Sequence, residues 1–212
     1  MTARTSRHPS EGDLPRIQRL RVLVLRLTAL VALPLVLFTQ SAWLHPRWVF
    51  EVLEVLGILL VIAAVLGRFW AILYIGGRKS AQVVQDGPYS VCRHPLYLFS
   101  TLGVLGLGLM LGSLMLCVAL GGLTFAILSA TAAREEAHLT ATFGPAYTEY
   151  ASRVPRIWPR PSLFHTAGQV TFEADRLRSN LADALVFLAF IPFAEFMQEI
   201  KELALFPVIP VW

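Results

Sequence analysis

Long apolar runs separated by short polar stretches dominate the chain. The first four runs extend from Leu20 to Phe38, Val49 to Leu66, Pro95 to Leu111 and Leu114 to Ala130. A helix of about 20 apolar residues crosses the roughly 30 Å hydrocarbon core of a bilayer. The pattern therefore predicts an all-α, polytopic integral membrane protein in which each of these runs is a transmembrane helix.

A fifth apolar run, Leu181 to Phe196, leaves the number of transmembrane helices at four to five. Asp183 near its start and Glu195 near its end suit either a spanning helix or a helix lying in the interface. The stretch from Ala184 to Ala194 holds no polar side chain, which favours insertion into the membrane. Pro192 removes a helical N–H and is expected to kink the segment.

The third and fourth runs are joined only by Gly112 and Ser113, which predicts a tight helical hairpin. The start of the third helix and the end of the fourth should therefore be neighbours. Gly103, Gly106 and Gly108 lie inside the third run with no strand before them, so they do not fit a nucleotide-binding loop. They are typical of close packing between membrane helices.

Composition and charge support the membrane interpretation. Apolar residues make up 56% of the 212 residues and charged residues 15%, and the mean hydropathy of +0.61 excludes a disordered chain. The net charge of +4 does not indicate nucleic acid, because the basic residues flank the apolar runs. On one side of the membrane lie Arg4, Arg7, Arg16, Arg19, Arg68, Arg78, Lys79, Arg93, Arg134, Arg153, Arg156 and Arg160. The turns on the other side hold only Arg47, so we predict a bacterial inner-membrane protein with a cytoplasmic amino terminus and cytoplasmic polar stretches.

These features divide the chain into four parts. Residues 1–19 are predicted to be a flexible arm, 20–67 two helices, 68–160 a core that carries the polar motifs, and 161–212 an extension with the last apolar helix. A cleavable signal peptide is the alternative for the first run. The long basic arm, Pro34 and the lack of an A-x-A site disfavour it.

Metal and thiol chemistry find little support in the sequence. Cys92 and Cys117 are too few for a disulfide framework and form no CxxC pair. A lowered pKa of Cys92 beside Arg93 is conceivable, but no base is assigned to it. Glu135 and His138 form one E-x-x-H pair, whereas a di-iron site needs two. We therefore predict no metal site.

Two polar clusters carry the candidate chemistry. The first is Gly87-Pro88-Tyr89 with Arg93-His94-Pro95-Leu96-Tyr97 at the start of the third helix, where Pro95 fits the first turn and free backbone N–H groups would favour an anion. The second begins with Arg134-Glu135-Glu136 after the fourth run and continues through Leu139, Phe143-Gly144, Tyr147 and Tyr150 to Val154-Pro155-Arg156. If the clusters meet across the hairpin, they combine a cationic pole, a carboxylate pole and aromatic faces, which suits a zwitterionic, partly aromatic ligand. The alternative is a purely structural ion pair.

The pattern G-P-Y-x-x-x-R-H-P-x-Y, followed by E-E-x-x-L-x-x-x-F-G-x-x-Y-x-x-Y-x-x-x-V-P-R, resembles that of the isoprenylcysteine carboxyl methyltransferases and their bacterial relatives. Phospholipid N-methyltransferases share a looser form. The resemblance covers about Phe69 to Arg156 and implies S-adenosylmethionine as cofactor, bound in a pocket on the cytoplasmic side. Carried over by position, the implied cofactor-binding residues are Tyr89, Arg93, His94, Pro95, Leu96, Tyr97 and Glu135, with weaker matches at Tyr74, Ala81, Gln82, Val83 and Val84.

The resemblance also implies methyl transfer to a lipophilic acceptor from the bilayer. An isoprenylcysteine-like carboxylate is the first choice, a phospholipid amine or a thiol the second, and a catalytically silent binding or assembly module the alternative of another class. A carboxylate acceptor needs no base, whereas an amine or thiol needs one, for which Glu136 and His138 are candidates. The eukaryotic enzymes carry an arginine one helical turn before the glutamate; here that position is Thr131, and Arg134 is the nearest cation.

Overall fold

The computed structural model describes residues 37–42, 47–75, 82–170, 188–196, 199–200 and 209–211, together with the single positions 30, 34, 177 and 185. The predicted arm 1–19 and most of the first predicted span lie outside the described residues. Ala81, Asp183 and most of the segment that the signal-peptide alternative concerns also lie outside the described residues.

Three long helices form the described part of the fold, which is mostly helical, as predicted. They are α1 (Arg47–Ile75), α3 (Pro95–Met110) and α4 (Leu114–Phe143), with the short helices α2 (Pro88–Val91) and α5 (Pro145–Arg153) beside them. Among the described residues, α1 and α4 are long and apolar enough to cross a membrane, and α3 is a shorter apolar helix. Both long helices continue beyond the predicted spans. The exact number of spans stays a prediction.

The hairpin between α3 and α4 depends on two residues. Gly112 adopts a φ of +65°, in the left-handed region that favours glycine. Ser113 caps α4, because its Oγ accepts a hydrogen bond from the backbone N–H of Leu116 at 3.1 Å. The tight turn predicted from the sequence is thus confirmed, and it sets α3 against α4.

Small residues allow α1 and α3 to pack closely. A Cβ on Gly106 would lie 2.8 Å from the carbonyl oxygen of Gly57, and a Cβ on Gly57 would collide with the backbone of Met110. The packing interpretation of the glycines in the third run is therefore confirmed for Gly106. Val61 and Leu107 continue this interface as buried core residues.

The carboxy-terminal part of the chain packs on the same two helices. Residues 188–196 are helical, and Ala194 joins Val61, Leu107 and Met110 in one apolar cluster. Residues 188–196 therefore pack on α1 and α3. Leu107 lies 12 residues beyond Pro95, about 18 Å along α3, so residues 188–196 lie far from the start of α3.

A pair of short strands closes one end of the helices. Strands β1 (Thr39–Ser41) and β2 (Ile209–Val211) pair in parallel, and Ser41 Oγ donates a 2.7 Å hydrogen bond to the carbonyl of Gly112. At the opposite end of α1, the hydroxyls of Tyr74 and Thr166 are 2.8 Å apart. Thr166 and Ile209 therefore lie near opposite ends of α1.

Candidate active site

The two polar clusters meet at the end of the helix bundle away from the hairpin turn. The Tyr97 hydroxyl, in the first turn of α3, donates to Glu135 Oε2 on α4 at 2.8 Å. His94 lies between the neighbouring carboxylates, with Nε2 3.1 Å from Glu136 Oε1 and Nδ1 3.8 Å from Glu135 Oε2. Its ring stacks on Tyr97 with the centroids 5.3 Å apart. The juxtaposition predicted from the hairpin is thus present.

Glu136 is a buried acceptor shared by several cationic side chains. Arg93 Nη1 lies 3.1 Å from one of its carboxylate oxygens, and Arg156 approaches the other with Nε at 3.0 Å and Nη2 at 2.6 Å. The Glu136 charge in turn raises the pKa of Arg156. Cations on both oxygens, together with His94, hold this carboxylate in its ionised form. Such an arrangement disfavours the proton-acceptor role predicted for Glu136.

A strap formed by residues 155–160 fixes the backbone at the start of α3. The N–H groups of Arg93 and His94 donate to the carbonyls of Pro155 and Arg156 at 2.9 and 3.1 Å, and Arg160 N–H donates to Val91 at 2.9 Å. The strap thereby delivers the Arg156 side chain to Glu136. The N–H groups of Arg93 and His94 are therefore not free to bind an anion.

A pocket with about 630 Å³ of empty space, its mouth included, opens beside these clusters. Its walls come from α1, the segment before α2, both clusters and α5. It is lined by Ile75, Gln82, Val83, Val84, Tyr89, Arg93, His94, Pro95, Leu96, Tyr97, Glu135, Leu139, Tyr147 and Tyr150.

Several predicted site residues lie elsewhere. Tyr74 does not line the pocket, because its ring packs on Gly87 and its hydroxyl pairs with Thr166. Arg134 is exposed and His138 half-buried, and neither lines the pocket. The structure therefore does not assemble Arg134, Glu136 and His138 into one catalytic group.

Two tyrosines of α5 line the pocket; both belong to the second polar cluster, but neither was predicted as a cofactor-binding residue. Tyr147 and Tyr150 are both buried, and the Tyr150 hydroxyl donates to the carbonyl of Tyr89 at 2.8 Å. Burial raises the pKa of Tyr147 to about 12 and also raises that of Tyr150, so both hydroxyls stay protonated and serve as donors. Their three-residue spacing, which places both on one helical face, is the sequence signal for this wall.

Cys92 does not line this pocket, and its thiol is unreactive because it is buried. Its side chain is 1% exposed, and burial raises the pKa of its thiol to about 12. Within the described ranges, no group of three or more His, Cys, Asp or Glu residues is arranged to hold a metal ion.

An apolar groove adjoins the polar pocket on the other side of Pro95, the residue that lines both. It has about 1,000 Å³ of empty space, its opening included. Its walls come from α1, the beginning of α3 and the chain around the strap. They consist of Trp70, Pro88, Val91, Cys92, Pro95, Leu98, Phe99, Leu102, Pro159, Pro161 and Phe164. Such walls suit a hydrocarbon chain.

Comparison with known proteins shows related chains. A family model described as phospholipid methyltransferase matches residues 52–146, from α1 to the beginning of α5. The cobalt-zinc-cadmium resistance protein CzcN of Cupriavidus metallidurans is 40% identical over 172 residues, covering 81% of this chain and 79% of that protein. The nickel-cobalt-cadmium resistance protein NccN of Alcaligenes xylosoxydans xylosoxydans is 38% identical, covering 81% of this chain and 80% of that protein. No solved structure matches.

Proposed function

Because this chain belongs to the phospholipid methyltransferase family, we propose that it transfers a methyl group from S-adenosylmethionine to a lipophilic acceptor. The observation that carries the proposal is the contact at Pro95 between a polar pocket and an apolar groove. One site is suited to a charged donor and the other to a hydrocarbon-bearing acceptor, and they lie side by side.

The residues of the polar pocket fit S-adenosylmethionine. Its amino-acid part carries a carboxylate and an ammonium group, for which Arg93 and Glu135 supply opposite charges. Its adenine and sulfonium suit aromatic walls, including Tyr97 and Tyr150. The pocket also contains a buried Tyr147 hydroxyl with no well-formed hydrogen bond to any described residue. When bound, the cofactor supplies a methyl group on a positively charged sulfur.

The protein's own part in the reaction is to bind, align and exclude water. No protein nucleophile is needed for an in-line methyl transfer, so catalysis rests on holding donor and acceptor in register. Tyr147 and Tyr150 of α5 form one wall of the polar end of the site. Tyrosine faces favour a sulfonium by about 1–2 kcal/mol when desolvated.

The charges in the site favour an acceptor that is already ionised. Glu136 is paired with cations and does not line the pocket. The carboxylate and imidazole that do line it, those of Glu135 and His94, are themselves hydrogen-bonded to Tyr97 and Glu136. We therefore keep an isoprenylcysteine-like carboxylate as the first choice, with its hydrocarbon chain in the groove. The family's description favours a phospholipid amine as the second candidate, and a thiol is the third.

The names of the relatives suggest a physiological setting. Both are named for resistance to cobalt and cadmium, together with zinc or nickel. We propose that the methylated product lies in the cell membrane and makes the cell more tolerant of these metals. Cells lacking the gene should be more sensitive to cobalt, zinc and cadmium, and the wild-type gene, but not its Glu135→Gln variant, should restore growth.

Two measurements test the proposed function. Methyl transfer from labelled S-adenosylmethionine to prenylcysteine analogues, aminophospholipids and small thiols identifies the acceptor, with Glu135→Gln as the inactive comparison. Calorimetry with S-adenosylmethionine distinguishes an enzyme from a silent binding module. Folded protein that binds no cofactor would rule out the enzyme.

A further inference from the structure

Two buried donors in the wall of the polar pocket have no well-formed hydrogen bond to any described residue. They are the hydroxyl of Tyr147 and Nε of Arg93. Tyr147 is 2% exposed, and both residues line the pocket. Leaving buried donors unsatisfied is costly, and sites that bind polar ligands are where such donors occur.

The charges around these donors favour an anion. Arg93 and Arg156 share the single carboxylate of Glu136, so this side of the pocket retains positive charge. Arg93 reaches Glu136 with Nη1, which leaves Nε as a separate donor in the same guanidinium. Burial and the charge of Glu136 raise the pKa of Tyr147, whereas the neighbouring guanidinium of Arg93 lowers it, which shows that Arg93 lies close to the Tyr147 hydroxyl.

The opposite pole of the pocket is negative. Glu135 lies on the far side of His94, where its Oε2 accepts the hydrogen bond from Tyr97. A zwitterionic group with a carboxylate directed at Arg93 and an ammonium directed at Glu135 would satisfy both poles at once.

We infer that Tyr147 and Arg93 form a carboxylate clamp for the amino-acid end of the methyl donor. The inference rests on the proposed function and deepens it, because it orients the donor in the pocket. The carboxylate lies against α5, where it accepts hydrogen bonds from the Tyr147 hydroxyl and Arg93 Nε. The ammonium faces Glu135 on α4.

Tyr147→Phe tests the clamp by removing one hydroxyl and nothing else. Binding is measured by calorimetry on the full-length protein with three probes: S-adenosylmethionine, decarboxylated S-adenosylmethionine and 5′-methylthioadenosine, which lacks the amino-acid end. We expect the affinity for S-adenosylmethionine to fall about tenfold or more, and the affinities for the other two to stay unchanged. The melting temperature of the ligand-free variant should stay the same or rise, because an unsatisfied buried hydroxyl is lost.

Two further variants keep the test decisive. Arg93→Lys preserves the charge next to Glu136 but removes the Nε donor, so it should discriminate between the probes in the same way. Tyr150→Phe loses a hydrogen bond to the backbone of Tyr89 and should change the affinities for all three probes by the same factor.

The outcomes separate this inference from the proposed function. A wild-type protein that binds none of the probes contradicts the proposed function itself. If the wild type binds but Tyr147→Phe weakens all probes equally, or destabilises the ligand-free protein without discriminating between them, the clamp is wrong. Unchanged probe affinities with a raised KM for a prenylcysteine acceptor would assign the bound carboxylate to the acceptor and also overturn the clamp.

Discussion

Glu136 explains why three separate pieces of the sequence motif belong together. Its carboxylate accepts from Arg93 and His94 at the start of α3 and from Arg156 on the strap. Each piece supplies a charge that would be unfavourable in a partly buried position without the others. A residue suggested by the sequence as a proton acceptor thus acts in the structure as the junction of the site.

Glu136→Gln should destabilise the protein more than Arg156→Gln. Loss of the carboxylate leaves buried cations unbalanced, at a cost of about 2–3 kcal/mol. The Arg156 side chain is 47% exposed, so its loss should cost about 1 kcal/mol or less. Melting temperatures in detergent measure both changes, and the double variant gives their coupling. Equal, additive losses would mean that the two side chains act independently.

His94→Ala and Glu135→Ala should each weaken cofactor binding. Each removes a polar partner from the enclosed pocket, which costs roughly 1–3 kcal/mol, or about five- to a hundredfold in affinity. Calorimetry with S-adenosylmethionine measures the effect. Thr148→Ala, an exposed change on the neighbouring α5, is the control. Unchanged affinity in both folded site variants would place the cofactor elsewhere.

The Cys92 thiol should resist alkylation in the folded protein. With a pKa of about 12, only about one thiol in ten thousand is ionised at pH 8, and the side chain is buried. The raised pKa means that stability from the neutral thiol is present below pH 9 and is lost as the pH rises towards 12. In a Cys117→Ser background, maleimide should label Cys92 only after denaturation. Rapid labelling of the folded protein at pH 8 would contradict this.

At the scale of elements, the approach of α1 to α3 depends on the absence of a side chain. Gly106→Ala places a Cβ against the Gly57 carbonyl and should destabilise the protein by about 1–3 kcal/mol. Gly122→Ala on α4 is the matched control, because nothing lies within 4 Å of its added Cβ. The control should be neutral or stabilising by up to about 1 kcal/mol. Thermal unfolding of the two variants compares them, and similar melting temperatures would argue against close packing here.

The sequence predicts elements well where a local signal exists. Gly112 and Ser113 define the hairpin, and Pro95 marks the first residue of α3. The end of α4 was missed because the prediction followed hydropathy, and the apolar run ends at Ala130. The helix continues to Phe143, since Ala132, Glu135 and their neighbours favour helix in water as well.

Contacts between distant segments are the part that the sequence does not predict. The hydrogen bonds between the strap and residues 91–94 join positions that no local pattern links. Tyr74 illustrates the limit, because it matched the motif region but packs on Gly87 behind the pocket. Most of the pocket lining was nevertheless predicted from the resemblance of the motif, and the hairpin explains why His94 lies next to Glu135 and Glu136.

At the scale of the whole molecule, the positions of Ser162 and Ile209 predict a membrane topology that can be tested. Ser162 lies beside the strap at the pocket end, and Ile209 lies in β2 at the hairpin end. In a background without Cys92 and Cys117, Ser162→Cys and Ile209→Cys should react with a membrane-impermeant maleimide from opposite sides of the membrane. We predict that Ser162→Cys reacts from the cytoplasm. Labelling of both from one side would exclude a spanning carboxy-terminal segment.

The parallel pairing of β1 with β2 also sets an order for biogenesis. Thr39 leaves the ribosome before any of the three long helices, yet its partner Ile209 is made 170 residues later. At about 5–20 residues per second, β1 waits roughly ten to thirty seconds for its partner strand. The helices thus enter the membrane before β1 has a partner strand. The two strands can pair only after β2 has been translated.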